Sequence, residues 1–175
     1  MTRGIRNNNP LNIRHSTDRW EGARIEQTDK SFVQFTSMAY GYRAAWKILE
    51  SYWNHFLRMG EPYTPITIIT RWAPPVENDT ESYIHAVLSL TSLGGNENLL
   101  QPSRGVDVER LVRLVQAMTV VECGIPYKEV DTEAIREGYK LAFPGKRFYT
   151  RIQPVAGKSS FIRIDFLRKL HLLCI

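Results

Sequence analysis

Apolar residues recur at three- and four-residue steps between Ala39 and Met59. Tyr42, Ala45, Trp46, Leu49, Tyr52, Trp53 and Phe56 fall on one face, which predicts an amphipathic helix ended by Gly60 and Pro62. A short helix is expected over Ile66–Arg71, stopped by Pro74-Pro75. Another is expected from Thr80 to Leu93, capped by Asn78 or Asp79 and ended by Gly94-Gly95. Val108–Cys123 has the clearest boundaries: Asp107 can accept from the first-turn amides and Gly124 can adopt the left-handed stop. A last helix is expected over Thr132–Phe143, with Asp131 as cap and Pro144-Gly145 as terminator.

The first 36 residues follow a different pattern. Asn-rich, Arg-rich sequence with a turn at Asn9-Pro10 leads into a predicted small hairpin, Ala23–Gln27 and Phe32–Phe35 around Thr28-Asp29-Lys30. Ile25, Phe32, Val33 and Phe35 supply its apolar weight. The fold class expected is α+β, mostly α, with one small β-hairpin near the N-terminus. Residues 1–143 form the expected domain and 144–175 a basic, apolar extension.

Composition changes this picture little, but charge changes it. The chain has 175 residues, 43% hydrophobic and 23% charged, ordinary for a globular protein with a real core. Its net charge of +5 is concentrated: residues 1–142 carry −1 and residues 143–175 carry +6. The body therefore gives no electrostatic case for nucleic acid. The extension, dense in apolar residues around Arg163, Arg168 and Lys169, suits packing on the domain or contact with a partner or a membrane surface. The N-terminus lacks the apolar core of a signal peptide, so synthesis in the cytoplasm is expected and wall action needs another route. Cys123 and Cys174 form no disulfide framework, and the four histidines pair with nothing at metal-ligand spacing. No metal and no cofactor are expected.

One carboxylate sits where helix chemistry makes it interesting. Leu111, Val115 and Met118 share a face, and Glu122 continues that stripe into the last turn. Burial and the carbonyl end of a helix both favour a neutral acid over a carboxylate. A general acid for glycosidic cleavage needs that form. The competing reading makes Glu122 a boundary residue whose side chain reaches solvent. Asn9 and Asn12 can donate to and accept from sugar hydroxyls, though Asn is equally a turn residue. Trp20 and Trp72 are candidate sugar platforms or plain core. Glu77, Asn78 and Tyr83 are candidate cleft residues within a Pro-Pro turn and helix cap.

Taken together, RGIRNNNPLNIR, W-x-G at Trp20–Gly22, F-x-x-F at Phe32–Phe35, RWAPPVENDTESYI and AMTVVECGIPY resemble a phage and prophage protein family. Its members are often described as structural or virion proteins and are thought to carry a lysozyme-like domain. In the family's Glu-Asn-Gly-like triplet this chain has Glu122-Cys123-Gly124. The parts also resemble those of soluble lytic transglycosylases and bacterial N-acetylglucosaminidases, in rotated order, which implies a circularly permuted lysozyme-like core.

The resemblance implies peptidoglycan glycan strands as substrate and Glu122 as acid and later base. It places Tyr83 beside Glu122, Asn9, Asn12 and Arg14 along the cleft, and Trp20 and Trp72 under the sugars, with Glu77 and Asn78 nearby. A muramidase needs a second carboxylate about 5 Å away if retaining, or roughly 6.5–9.5 Å away if inverting. Asp18, Glu21, Glu26, Asp29, Glu77 and Asp79 are the candidates. A transglycosylase needs only the one Glu, and that reading is preferred. The alternative is a non-catalytic virion or wall-binding module, with other virion proteins as partners.

Overall fold

The structure, a computed structural model, describes residues 1–101 and 105–145. The basic extension lies outside the described residues except for Pro144 and Gly145. Among the described residues there are six α-helices: α1 Arg3–Arg6, α2 Met38–Met59, α3 Pro65–Trp72, α4 Thr80–Thr91, α5 Val108–Cys123 and α6 Thr132–Ala142. A two-residue antiparallel pair, β1 Leu100–Gln101 and β2 Gly105–Val106, precedes α5. No described helix is long and apolar enough to cross a membrane.

The helix α5 runs through the centre. Its stripe of Leu111, Val115 and Met118 is buried as expected, but Val112, Leu114, Ala117 and Thr119 are buried as well. A helix covered on more than one side is a core helix rather than a surface one. Asp107 caps its start by accepting from the Arg110 amide, and Gly124 closes its end at φ 62°. The helices α2 and α6 pack closely because Gly138 has no side chain: a Cβ there would lie 2.6 Å from Tyr42 Cβ. Across the same contact the Trp46 indole donates to the Ile135 carbonyl at 2.9 Å, and its ring meets Tyr139 edge-on at 5.2 Å.

The helix ends fall within a residue or two of the sequence expectation. Of the two expected caps for α4, Asp79 is the one used, accepting from the Ser82 amide. The helix then stops at Thr91, before the two glycines, because Ser92 takes the left-handed stop at φ 54°. The extra helix α1 is a single turn, too short to leave an apolar period in the sequence.

The N-terminal hairpin needs a larger correction. Residues 22–24 do lie against 34–36, and residues 13–15 add a further edge against 31–33. Only isolated bridges form, Arg14 with Phe32 and Ala23 with Phe35. Side chains take backbone groups that a ladder would use. The Gln34 carbonyl oxygen Oε1 accepts from the Thr28 and Asp29 amides, Gln27 bonds both the N–H and C=O of Gln34, and Asp29 accepts from the Ser31 and Phe32 amides. Ile25, counted as apolar weight, is fully exposed.

Candidate functional site

Residues 1–36 form a strap rather than a sheet, and its bonding explains its path. Asn9 is 0% exposed; its side chain accepts from the Ile13 amide and donates to the Ile13 and Val33 carbonyls, each at 2.8 Å. Every polar atom of that amide is thus committed to backbone. Asn8 and Asn12 on either side take left-handed conformations, φ 51° and 49°, which Asn tolerates better than most residues. The strap is pinned to the end of α5 by Cys123, whose Sγ donates to the Pro10 carbonyl at 3.2 Å. Gly4 permits this approach, since a Cβ there would lie 2.7 Å from Cys123 Sγ.

These contacts bring Asn12 to Glu122. The Asn12 amide donates both to Glu122 Oε2 at 2.9 Å and to the Glu122 backbone carbonyl at 3.1 Å. The second bond satisfies one of the carbonyls that the end of a helix leaves free. On the other side, the Tyr83 hydroxyl donates to Glu122 Oε1 at 3.0 Å and the Trp72 indole N–H donates to the same oxygen at 3.1 Å. Trp72 is the last residue of α3, and Tyr83 lies in the first turn of α4. The Thr80 hydroxyl donates to the Ala73 carbonyl across the intervening loop, tying the two helix ends together.

A half-buried carboxylate with three convergent donors is therefore built from four separate pieces of chain. Burial, then the negative charge of Glu122, hold the Tyr83 phenol well above its ordinary pKa, so it remains a proton donor. Oε1 receives two donors and Oε2 one, which leaves Oε2 the less occupied oxygen. Burial, followed by the same negative charge, pushes the Cys123 thiol up to about 11. A buried thiol held neutral is a structural donor rather than a nucleophile.

Of the residues singled out from sequence, Asn12, Trp72 and Tyr83 meet Glu122. Asn9 does not line a cleft; it is sealed inside the strap. Arg14 is exposed and lies over the Phe32 ring, its guanidinium carbon 5.3 Å from the ring centre. Trp20 packs against the core with its buried indole N–H unpartnered among the described residues. Glu77 and Asn78 are exposed, and both fold back on the Pro74 carbonyl.

The candidate second carboxylates are occupied elsewhere or exposed. Arg3 binds Asp29 through two hydrogen bonds and holds its carboxyl well below the ordinary range. Glu21 pairs with Arg43, Asp18 accepts from Ser16 and Asp79 caps α4. Among the described residues none of their carboxyl groups hydrogen-bonds Glu122 or its partners Asn12, Trp72 and Tyr83. Two surface depressions lie away from Glu122: one of about 710 Å³ beside Arg3, Arg6 and Lys30, and one of about 270 Å³ beside Trp20.

Sequence reasoning missed two neighbours. Tyr52 meets Trp72 edge-on with ring centres 6.4 Å apart, and the Arg71 guanidinium lies over Tyr52 at 5.0 Å. Tyr52 sits on the apolar stripe of α2 and reads as core. Arg71 carried a weak signal: its immediate neighbour is Trp72.

Fold and site thus define a mostly helical protein with a donor-clamped carboxylate at the end of its central helix. No family model matches the chain. It is 36% identical over 148 residues to Protein P5 of Pseudoalteromonas phage PM2, covering 82% of this chain and 83% of that protein. The chain belongs to the family of this phage protein.

Proposed function

We propose that this chain is a phage virion-associated module with a lysozyme-like, circularly permuted core, and that it cleaves peptidoglycan glycan strands with Glu122 as general acid. The observation that carries the chemistry is the convergence of Asn12, Trp72 and Tyr83 on the Glu122 carboxyl group. In that role Glu122 delivers a proton from Oε2 to the glycosidic oxygen as the C–O bond breaks. Asn12 releases Oε2 while keeping its bond to the Glu122 carbonyl, so the site opens without losing its anchor. Trp72 and Tyr83 hold Oε1 and fix the carboxyl plane. With no second carboxylate bonded into this cluster among the described residues, a hydroxyl of the substrate attacks the anomeric carbon and returns its proton to Glu122, as in a lytic transglycosylase.

The second reading keeps the virion module and drops the chemistry. Kinship with a phage protein favours it more directly than it favours catalysis. Physics supplies a reason as well: three donors around one carboxylate also suit a purely structural charge. Release of dye from labelled peptidoglycan separates the two. Catalysis predicts release by the wild type and a loss of at least ~100-fold in Glu122→Gln with the fold intact. Sedimentation with sacculi without release supports the binding module.

A further inference from the structure

The cations of the described residues are unevenly paired. Arg3, Arg43, Lys47, Arg110, Arg136 and Lys140 each have a carboxylate partner there. Arg71 is among those that have none; its contact is the face of Tyr52, at 5.0 Å, and it is set apart from the others by its place beside Trp72. It is exposed, in the last turn of α3 and next in sequence to Trp72. Tyr52 and Trp72 form a continuous aromatic wall, and the Trp72 indole reaches Glu122 at 3.1 Å. The wall therefore joins a fixed cation at one end to a carboxyl group at the other.

The guanidinium lies over the Tyr52 ring, and none of its N–H groups is hydrogen-bonded among the described residues, so its planar fork is available to a ligand. A planar fork held this way matches a carboxylate through two parallel hydrogen bonds, a geometry lysine cannot supply. Burial raises the Tyr52 phenol's pKa and the Arg71 charge partly opposes that rise, consistent with their proximity. A cation across an aromatic wall from the acid selects ligands with negative charge displaced from the bond that Glu122 addresses.

We propose that Arg71 is a specificity-determining residue that binds a carboxylate of the glycan seated at Glu122, a refinement that rests on the glycan reading above. The carboxylate belongs either to a peptide-free lactyl ether on the sugar or to an attached stem peptide. Both present the same planar anion.

The test is equilibrium binding of three probes: peptide-free glycan strands, the same strands with their carboxyl groups amidated, and stem-bearing strands. The wild type is expected to prefer acid over amidated strands by about tenfold, as charge-assisted hydrogen bonds warrant. In Arg71→Gln that ratio falls to near one, and in Arg71→Lys it lies between. An Arg71-dependent preference confined to stem-bearing strands places the carboxylate in the peptide and still supports the role. An unchanged ratio in Arg71→Gln overturns it. Glycan release is read in parallel from the same samples. Arg71-dependent binding without release leaves this role standing and removes the cleavage reading. Absence of binding by the wild type overturns both.

Discussion

The strap of residues 1–36 and the helical body from Met38 to Ala142 are stabilised by different means. The body is held by apolar packing: Trp46, Leu49, Ile68, Ile69, Leu111 and Met118 are all fully buried. The strap adds Leu11 and Phe35 to that core, but buried polar side chains do comparable work there: Asn9 and Gln34 bond backbone groups, Asn7 bonds the Asp29 and Gln34 side chains, and all three are as buried as core leucines. Packing tolerates small changes of shape, whereas a buried polar brace leaves unpaired groups when it is removed. Glu122 lies where the two regions meet, held by Asn12 from the strap and by Trp72 and Tyr83 from the body. The site therefore depends on both kinds of construction.

The sharpest way to break this comparison is one truncation in each region. Asn9→Ala leaves the Ile13 amide and the Val33 carbonyl without partners and removes one of the two donors to the Ile13 carbonyl. A loss of about 3 kcal/mol is expected, read by chemical denaturation. Ile68→Val in the body should cost only about 1 kcal/mol. Equal costs would remove the distinction. Tyr83→Phe deletes one donor to Oε1 and keeps the ring, so a roughly tenfold fall in glycan release is expected, with little loss of stability. A larger fall in thermal stability than in release would make Tyr83 a structural residue.

The smallest effect is a pH dependence confined to the strap. Asp29 binds Arg3, the Asn7 amide and two backbone N–H groups, all of which lower its pKa from an ordinary 3.8. A depressed carboxyl contributes stability above its unfolded pKa and loses it as pH falls through the folded value. Hydrogen exchange at Ser31 and Phe32 should therefore accelerate below about pH 4 while amides of α5 remain protected. Asp29→Asn should flatten that dependence. Uniform acceleration across both regions would show that they unfold as one unit.

The same contrast explains how much could be read from sequence. The body was legible because packing leaves a period: α5 runs from Val108 to Cys123 with the expected caps, and α2 begins one residue before its expected start. The strap was not. Gln27, Gln34 and Asp29 look like ordinary polar loop residues, and nothing in their spacing reveals that they occupy backbone groups of the expected hairpin. At the site, helix position and family resemblance single out Glu122, and the resemblance sets Tyr83 beside it, where its hydroxyl lies. The same resemblance sets Asn9 along the cleft, and burial makes it a brace of the strap instead. Tyr52 and Arg71 escaped notice because their relation to Glu122 passes through Trp72, a tertiary contact with no local signature.

Mass spectrometry of the soluble products from purified peptidoglycan, with the full chain and Glu122→Gln side by side, decides whether Glu122 cleaves glycan. Fragments with anhydro ends are expected from the wild type and none from the folded variant. Equal products from both, or a folded wild type that binds sacculi and releases nothing, would contradict cleavage by Glu122.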